Sequence, residues 1–159
     1  MAKKKSKNNA LAFIKCFAII FAIVGVVMTI LNFVNFGEDY GYTGIQVIFG
    51  YAKTTDLGLT TATTEFLSFS PLALVSVLLP LVGAFCMLLK SKLVRFIGVL
   101  MMIAGAVLCF FVPNFVVFAN QTQATAHSLF ASSLGIGAIL AGVMFGVGSL
   151  CGLFSLAEK

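Results

Sequence analysis

The side chains able to do chemistry in this chain are one histidine, four cysteines, five carboxylates and the hydroxyls of Ser, Thr and Tyr. The cysteines, at 16, 86, 109 and 151, form no C-x-x-C pair, so the paired thiols of a disulfide-exchange enzyme are missing. His127 has no Cys, Asp or Glu nearby in the sequence, which is typical of a solvated turn residue rather than a metal ligand or general base. We therefore expect a protein that is not an enzyme, with no catalytic, cofactor or metal site.

Four of the five carboxylates lie in one segment, as Glu38, Asp39, Asp56 and Glu65. Their wide spacing is typical of a solvated loop and does not supply the clustered ligands of a metal or catalytic site. The apolar stretches on either side of this segment hold no Asp, Glu, Lys or Arg. Proton-coupled transporters use such charges inside the membrane, so we do not expect one that acts alone.

The charged residues fall into four short clusters, separated by stretches of 22, 24 and 62 uncharged residues. About 20 apolar residues suffice for a helix to cross a bilayer with a hydrocarbon core of roughly 30 Å. The longest stretch, 96–157, is too long for one crossing, and polar residues at 113–128 supply a reversal. Because backbone groups in lipid must pair within their own segment, these stretches favour helices. The sequence therefore predicts an all-α integral membrane protein.

The predicted fold is a four-transmembrane-helix bundle that forms a single membrane domain over 1–159, with a larger first outer loop. The predicted spans are 11–36, 71–89, 93–117 and 128–156, and the predicted outer loops are 37–70 and 118–127.

Basic residues predict the orientation of these spans. Five Lys lie at or before the start of the first span, and Lys90, Lys92 and Arg95 separate the second span from the third. Both basic regions and both termini are therefore expected in the cytoplasm, in a multi-pass protein of the plasma membrane. The net charge of +5 is then a topology signal, and the lysines at 3–7 are also placed to contact membrane lipid headgroups. We expect no nucleic-acid partner.

Small residues recur along one face of the fourth predicted span. Helices in lipid associate through close packing, and small side chains let two backbones approach. The sequence predicts a helix-packing interface formed by Gly135, Ala138, Gly142, Gly146, Gly148 and Gly152. Packing inside the bundle and a seam between subunits are both compatible with this pattern.

The first outer loop is the only segment long enough to recognise another molecule by itself. We predict an outer-loop recognition surface formed by Tyr40, Tyr42 and Tyr51. Tyrosine rings suit the boundary between lipid and water, because one end of the side chain is apolar and the other is polar.

Two alternative local structures are compatible with the residues that follow Tyr42. Thr43 and Gln46 have capping-box spacing and lead into an apolar stripe with helical period, which favours a short interfacial helix. Alternation of Ile45, Val47 and Phe49 favours instead a strand that pairs with 65–69 in a small β-sheet.

The string YTGIQVIFG at 42–50 follows a first span with a Lys-rich start, and in this layout the chain resembles a group of small uncharacterised four-span membrane proteins of AT-rich, Gram-positive-type bacteria. In architecture it also resembles the claudin and tetraspan class of eukaryotic membrane proteins, which form cell-surface assemblies. The first loop departs from claudins because it has neither their paired Cys nor their Trp. The first resemblance implies no activity, and the second implies an architecture rather than a function.

Two functions fit these expectations. The first is a non-enzymatic multi-pass membrane scaffold or accessory subunit, which assembles as a homo-oligomer or with a larger membrane-protein complex. The alternative is a pore or transporter component, in which assembled copies line a path. Thr29, Asn32, Asn35 and a few Ser would be the polar lining, so that path would be narrow or hydrophobically gated.

Overall fold

The computed structural model describes residues 2–37, 40–56, 58, 60–89 and 91–157, and their side chains except at 2–11 and 127. The predictions made for Glu38, Asp39 and Lys90, for the lysine side chains at 3–7 and for the side chain of His127 lie outside this part of the chain.

Four long helices pack side by side: α1 (Ala2–Val27), α3 (Pro71–Cys86), α4 (Lys92–Phe110) and α6 (Ile136–Ala157). The helix α3 packs along α4, α4 along α6, and α6 along α1. The guanidinium of Arg95, near the start of α4, donates to the carbonyl oxygen of Ser155 at 3.5 Å, near the end of α6. The start of α4 and the end of α6 therefore lie at one end of the bundle.

Three helical segments are long and apolar enough to cross a membrane, namely Ala12–Ile30, Lys92–Phe110 and Ile136–Ala157. The helix α3 has 16 residues, which is about 24 Å at 1.5 Å per residue and less than the roughly 30 Å hydrocarbon core. It begins after the N-cap Ser70, and residues 87–89, which the predicted span includes, form a turn. The prediction of four transmembrane helices is therefore wrong.

The all-α prediction is also wrong, because the described residues include two antiparallel sheets. Their strands are β1 (Asn32–Phe36), β2 (Tyr40–Thr43), β3 (Tyr51–Asp56), β4 (Thr61–Leu67) and β5 (Ser132–Leu134). Two of these strands, β1 and β5, lie inside the predicted helices 11–36 and 128–156. The strand β1 contains aromatic and β-branched residues that suit a sheet, together with two asparagines that disfavour a helix interior. Pairing with β2 and β5 on either side then outweighs the apolar content that led to the helix prediction.

The first sheet has the order β2-β1-β5, and the second consists of β3 and β4. In β1, Asn35 pairs with Gly41 on one side and Ser133 on the other. The end of β4 is also paired, because the amide of Ser68 donates to the carbonyl oxygen of Val117 at 2.8 Å. We call these two sheets, with the helices α2 (Gly44–Phe49) and α5 (Gln121–Ser128), the β head.

The helix α2 forms as the capping-box spacing predicts. The Gln46 amide N–H donates to the Thr43 hydroxyl at 3.3 Å, and the Thr43 amide N–H donates to the Gln46 side-chain oxygen at 3.0 Å. Its own residues Val47 and Ile48 are buried. The alternative strand over 45–49 is not formed, and residues 65–67 pair with β3 instead.

Close backbone contact joins α3 and α4. Gly83 and Gly98 face each other, and a Cβ built on either one would lie 2.5 Å from the carbonyl oxygen of the other. A proline removes one helical hydrogen bond, and Pro80 leaves the carbonyl of Ser76 without its usual partner. The Cys109 thiol of α4 donates to that carbonyl oxygen at 3.8 Å. These contacts hold the two helices in one register.

Candidate recognition site

All three tyrosines of the chain meet at one cleft in the β head. The cleft has a volume of about 210 Å³ and is open on one side. Its walls are formed by Tyr40, Gly41, Tyr42, Gln46, Tyr51, Lys53 and Phe66. The structure thus brings together the three residues that the sequence predicts as a recognition surface. We call this site the tyrosine cleft.

The backbone of β2 and β3 explains why the tyrosines converge. Alternation along β2 directs Tyr40 and Tyr42 to the same side of the strand. Gly50 ends α2 with a φ of +92°, a conformation that favours glycine, and Tyr51 begins β3 directly after it. A Cβ on Gly50 would also lie 2.7 Å from the carbonyl oxygen of Leu67. The backbone conformation at Gly50 thus places Tyr51, at the start of β3, against Tyr42 of β2.

The aromatic rings form a continuous wall. The Tyr42 and Tyr51 ring centroids are 6.1 Å apart in an edge-on arrangement, and those of Tyr51 and Phe66 are 5.9 Å apart. On its other side Tyr42 meets the ring of Phe36 at 6.0 Å, which joins the cleft to the core. Tyr42 is 5% exposed and Tyr40 is 50% exposed, so one tyrosine forms the floor of the cleft and another its rim.

The cleft is lined by hydrogen-bond donors and one cation. Burial raises the pKa of the Tyr42 hydroxyl above its ordinary value, and the neighbouring Tyr51 and Tyr40 raise it further. The Tyr42 hydroxyl therefore keeps its proton at neutral pH. Lys53 adds a positively charged residue to the lining. The two described carboxylates of the head, Asp56 and Glu65, line other parts of the surface.

Sequence reasoning missed four members of this site: Gly41, Gln46, Lys53 and Phe66. Gln46 is identified in the sequence as a helix-capping residue, and its place in the cleft follows from that same cap. Lys53 and Phe66 reach the cleft only because β3 pairs with β4, where Lys53 lies opposite Thr64. The signal for that pairing is two runs of β-branched residues around Gly58, which has a φ of +87°.

The small residues of the predicted interface lie in two different environments. Gly142 packs against the Phe110 ring of α4, and Gly148 and Gly152 pack against the side chains of Met102 and Met87. Ala138 is also fully buried. These residues contact helices of the same chain.

Two members of the predicted interface differ from the rest. Gly135 precedes α6 and is not helical: its amide donates to the carbonyl oxygen of Phe33 at 2.8 Å, next to the sheet. Gly146 faces outward, and nothing lies within 4 Å of a Cβ built on it. Phe145, which interrupts the small-residue pattern, is fully buried and packs against Gly25 of α1.

The remaining chemistry-bearing residues are dispersed in the described part of the chain. There, no group of three or more His, Cys, Asp or Glu side chains is close enough to hold a metal ion. The four cysteines are free thiols, and Cys109 is the buried one. Among the described residues, the tyrosine cleft is therefore where polar and aromatic side chains converge.

Comparisons with known proteins leave the site to be interpreted from its geometry. No protein-family model, no curated protein and no solved structure matches the chain.

Proposed function

We propose that this protein is a non-enzymatic, multi-pass membrane scaffold or accessory subunit whose β head recognises a partner outside the membrane. The observation that carries the proposal is the separation of two surfaces. The helices present large apolar side chains outward, including Phe13, Leu93 and Phe154, each about two-thirds exposed. The β head holds the tyrosine cleft and a threonine-rich hairpin that is exposed on both faces.

The proposed orientation has the β head outside and the basic start of α4 in the cytoplasm, at the plasma membrane. The ends of α1 and α4 and the beginnings of α3 and α6 all lead into the head or come from it. Lys92 and Arg95 lie at the opposite end, where α4 begins. Basic residues that flank apolar helices remain on the cytoplasmic side, which supports this orientation.

Close packing between the helices supports a framework rather than a conducting path. Glycine and alanine bring α6 against α1 and α4, and Gly83 brings α3 against α4. Two buried hydroxyls in these helices bond to their own backbone: Ser76 donates to the Ala73 carbonyl at 2.7 Å and Ser149 to the Gly146 carbonyl at 2.6 Å. A polar lining needs hydroxyls that are free for a solute.

Assembly through the head is tested by shortening its hairpin. Lys53 and Thr64 are paired, so residues 54–63 are replaceable by a two-residue Asn-Gly turn that closes the strands at that pair. We expect the tagged wild-type chain, extracted from its native membrane in mild detergent, to migrate on a native gel as a complex larger than one chain. The shortened chain should remain in the membrane and lose that complex.

The matched control is Phe13→Ala, which trims an exposed side chain of the bundle and should leave the complex intact. A wild-type chain that migrates alone, or a complex that survives shortening of the hairpin, would contradict assembly through the head.

A further inference from the structure

The tyrosine cleft combines an aromatic wall with hydrogen-bond donors and, among its described lining residues, one cationic side chain, that of Lys53. We propose that it binds a small organic carboxylate whose body is apolar and about the size of one ring. This proposal rests on the proposed recognition function of the head and names the chemistry that the head recognises. The carboxylate belongs either to a free small molecule or to the last residue of a peptide.

The charge of the cleft favours an anion. Lys53 is the only cationic side chain described in the β head, and it lies in the cleft wall. Asp56 is engaged elsewhere, because its carboxylate accepts from the Gly58 amide at 3.1 Å. Glu65 lies opposite Ala52 and lines a separate groove beside Phe69. A carboxylate ligand would therefore meet an ammonium group without a described acid in the wall to compete for it.

The polar neutral groups in the wall also favour an acceptor ligand. The side-chain oxygen of Gln46 already accepts from the Thr43 amide, so the part of the Gln46 side chain left for a ligand is its NH₂ group, a donor. Hydrogen bonds from such donors to an ionised carboxylate are shorter and stronger than those to a neutral group.

The size and surface of the cleft define the body of the ligand. Its volume of about 210 Å³ is that of about seven waters at roughly 30 Å³ each, which admits one ring and its carboxylate. Tyr51 and Phe66 contribute two aromatic rings to the wall, and Phe66 has no hydrogen-bonding group in its side chain. An apolar body packs well on such a wall, whereas a densely hydroxylated one would lose hydrogen bonds to water.

The tyrosines provide a direct readout of binding. The chain has three tyrosines and no tryptophan, and all three tyrosines line the cleft. The intrinsic tyrosine fluorescence of the full chain in detergent therefore reports on this site alone. We would titrate it with cyclohexanecarboxylate, with its neutral analogue cyclohexanecarboxamide and with the cation cyclohexylmethylammonium, none of which absorbs at the excitation wavelength.

We expect saturable binding of cyclohexanecarboxylate, at least tenfold tighter than that of the amide or the cation. Lys53→Gln should reduce this preference about tenfold, and Lys53→Arg should keep it, because the charge remains. Lys53 is exposed at the surface of its strand, so neither variant disturbs the core. Lys92→Gln, which removes an exposed cation at the other end of the bundle, is the matched control and should bind as the wild type does.

A second pair of probes separates the two sources of the carboxylate. N-acetyl-phenylalanine mimics a peptide carboxyl terminus, and its amide lacks the charge. Tighter binding of N-acetyl-phenylalanine than of cyclohexanecarboxylate supports a peptide terminus, and the reverse supports a free small molecule.

Three results would overturn the proposal: no saturable change in fluorescence, equal affinity for the carboxylate and the amide, or a preference for the cation. These results are independent of the native-gel test, because the shortened hairpin retains Lys53 and the cleft. Absence of carboxylate binding in the intact chain would remove the ligand proposal and leave assembly through the head standing.

Discussion

The helical bundle and the β head are each stabilised by side chains of a different size, small in the bundle and large in the head. In the bundle, the closest contacts occur where a side chain is missing, as between Gly83 and Gly98. In the head, large rings fill the space between strands, as where Phe36, Tyr42 and Tyr51 meet. The bundle therefore tolerates few added atoms at its seams, whereas the head loses most when atoms are removed.

The two regions also differ in how much of each element is buried. The helices α3, α4 and α6 each bury one face against a neighbour. The hairpin of β3 and β4 buries only its base, near Tyr51 and Leu67, and an isolated hairpin has little stability in water. Pairing of Ser68 with Val117 anchors that base. The outer part of the hairpin is thus free to contact a partner.

The largest effect is expected where the bundle has no room. Gly83→Ala places a methyl group 2.5 Å from the carbonyl oxygen of Gly98, and backbone atoms on both sides have to shift. Overpacking of this kind costs about 1–3 kcal/mol of unfolding free energy. The measurement is thermal unfolding of the detergent-solubilised chain, where Gly83→Ala should lower the midpoint by several degrees.

Gly146→Ala is the matched control, because it makes the same change in a helix where nothing lies within 4 Å. Alanine is the better helix former by up to about 1 kcal/mol, so this variant should be neutral or slightly stabilising. Equal loss of stability in both variants would show that the contact between α3 and α4 does not decide the packing.

A smaller effect is expected at the N-terminal cap of α2, where Gln46 also lines the tyrosine cleft. Thr43→Ala removes the hydroxyl that accepts from the Gln46 amide, at a cost of about 1 kcal/mol. Hydrogen exchange over Gly44–Phe49 should then become faster, while exchange in α6 remains unchanged. Thr43→Ser keeps the hydroxyl and should restore the slow exchange, and failure to do so would assign the effect to the lost methyl group.

The limits of sequence reasoning follow the same division between bundle and head. The uncharged stretches place the start of α4 and the end of α6 correctly, but the predicted spans 93–117 and 128–156 run past the observed helices, Lys92–Phe110 and Ile136–Ala157, at the ends nearest the head. The residues of β1 and β5 are apolar or small and uncharged, so composition alone extends the neighbouring helices through them. Their strand structure depends on pairing between segments about 100 residues apart in sequence, such as Val34 with Leu134.

The candidate site shows the same mixture of local and long-range information. The tyrosines stand out in the sequence because of their spacing and their chemistry, and the capping box of α2 is a local signal that the structure confirms. Lys53 and Phe66 carry no local signal for the cleft, because their positions depend on the register between β3 and β4. Among the glycines, Gly142 and Gly146 look alike in sequence and differ only in what the neighbouring helices place beside them.

The smallest effect concerns the floor of the cleft. The raised pKa of Tyr42 means that the folded chain keeps this proton above pH values of about 10, where the unfolded chain releases it. The folded state then binds more protons than the unfolded state, so stability should fall as the pH rises through this range. Tyr42→Phe should flatten that decline in urea unfolding, whereas Tyr40→Phe, at the exposed rim, should retain it. An unchanged slope in Tyr42→Phe would argue against a protonated tyrosine at the floor.

In the proposed orientation, the basic end of the bundle and the β head lie on opposite sides of a membrane. The most direct test uses single cysteines at exposed positions, Thr55→Cys in the hairpin and Lys92→Cys at the start of α4, in a chain whose four native cysteines are replaced by alanine. An impermeant thiol reagent added to intact cells should label Thr55→Cys at once and Lys92→Cys only after the cells are permeabilised. Labelling of Lys92→Cys in intact cells, or protection of Thr55→Cys until permeabilisation, would contradict the account.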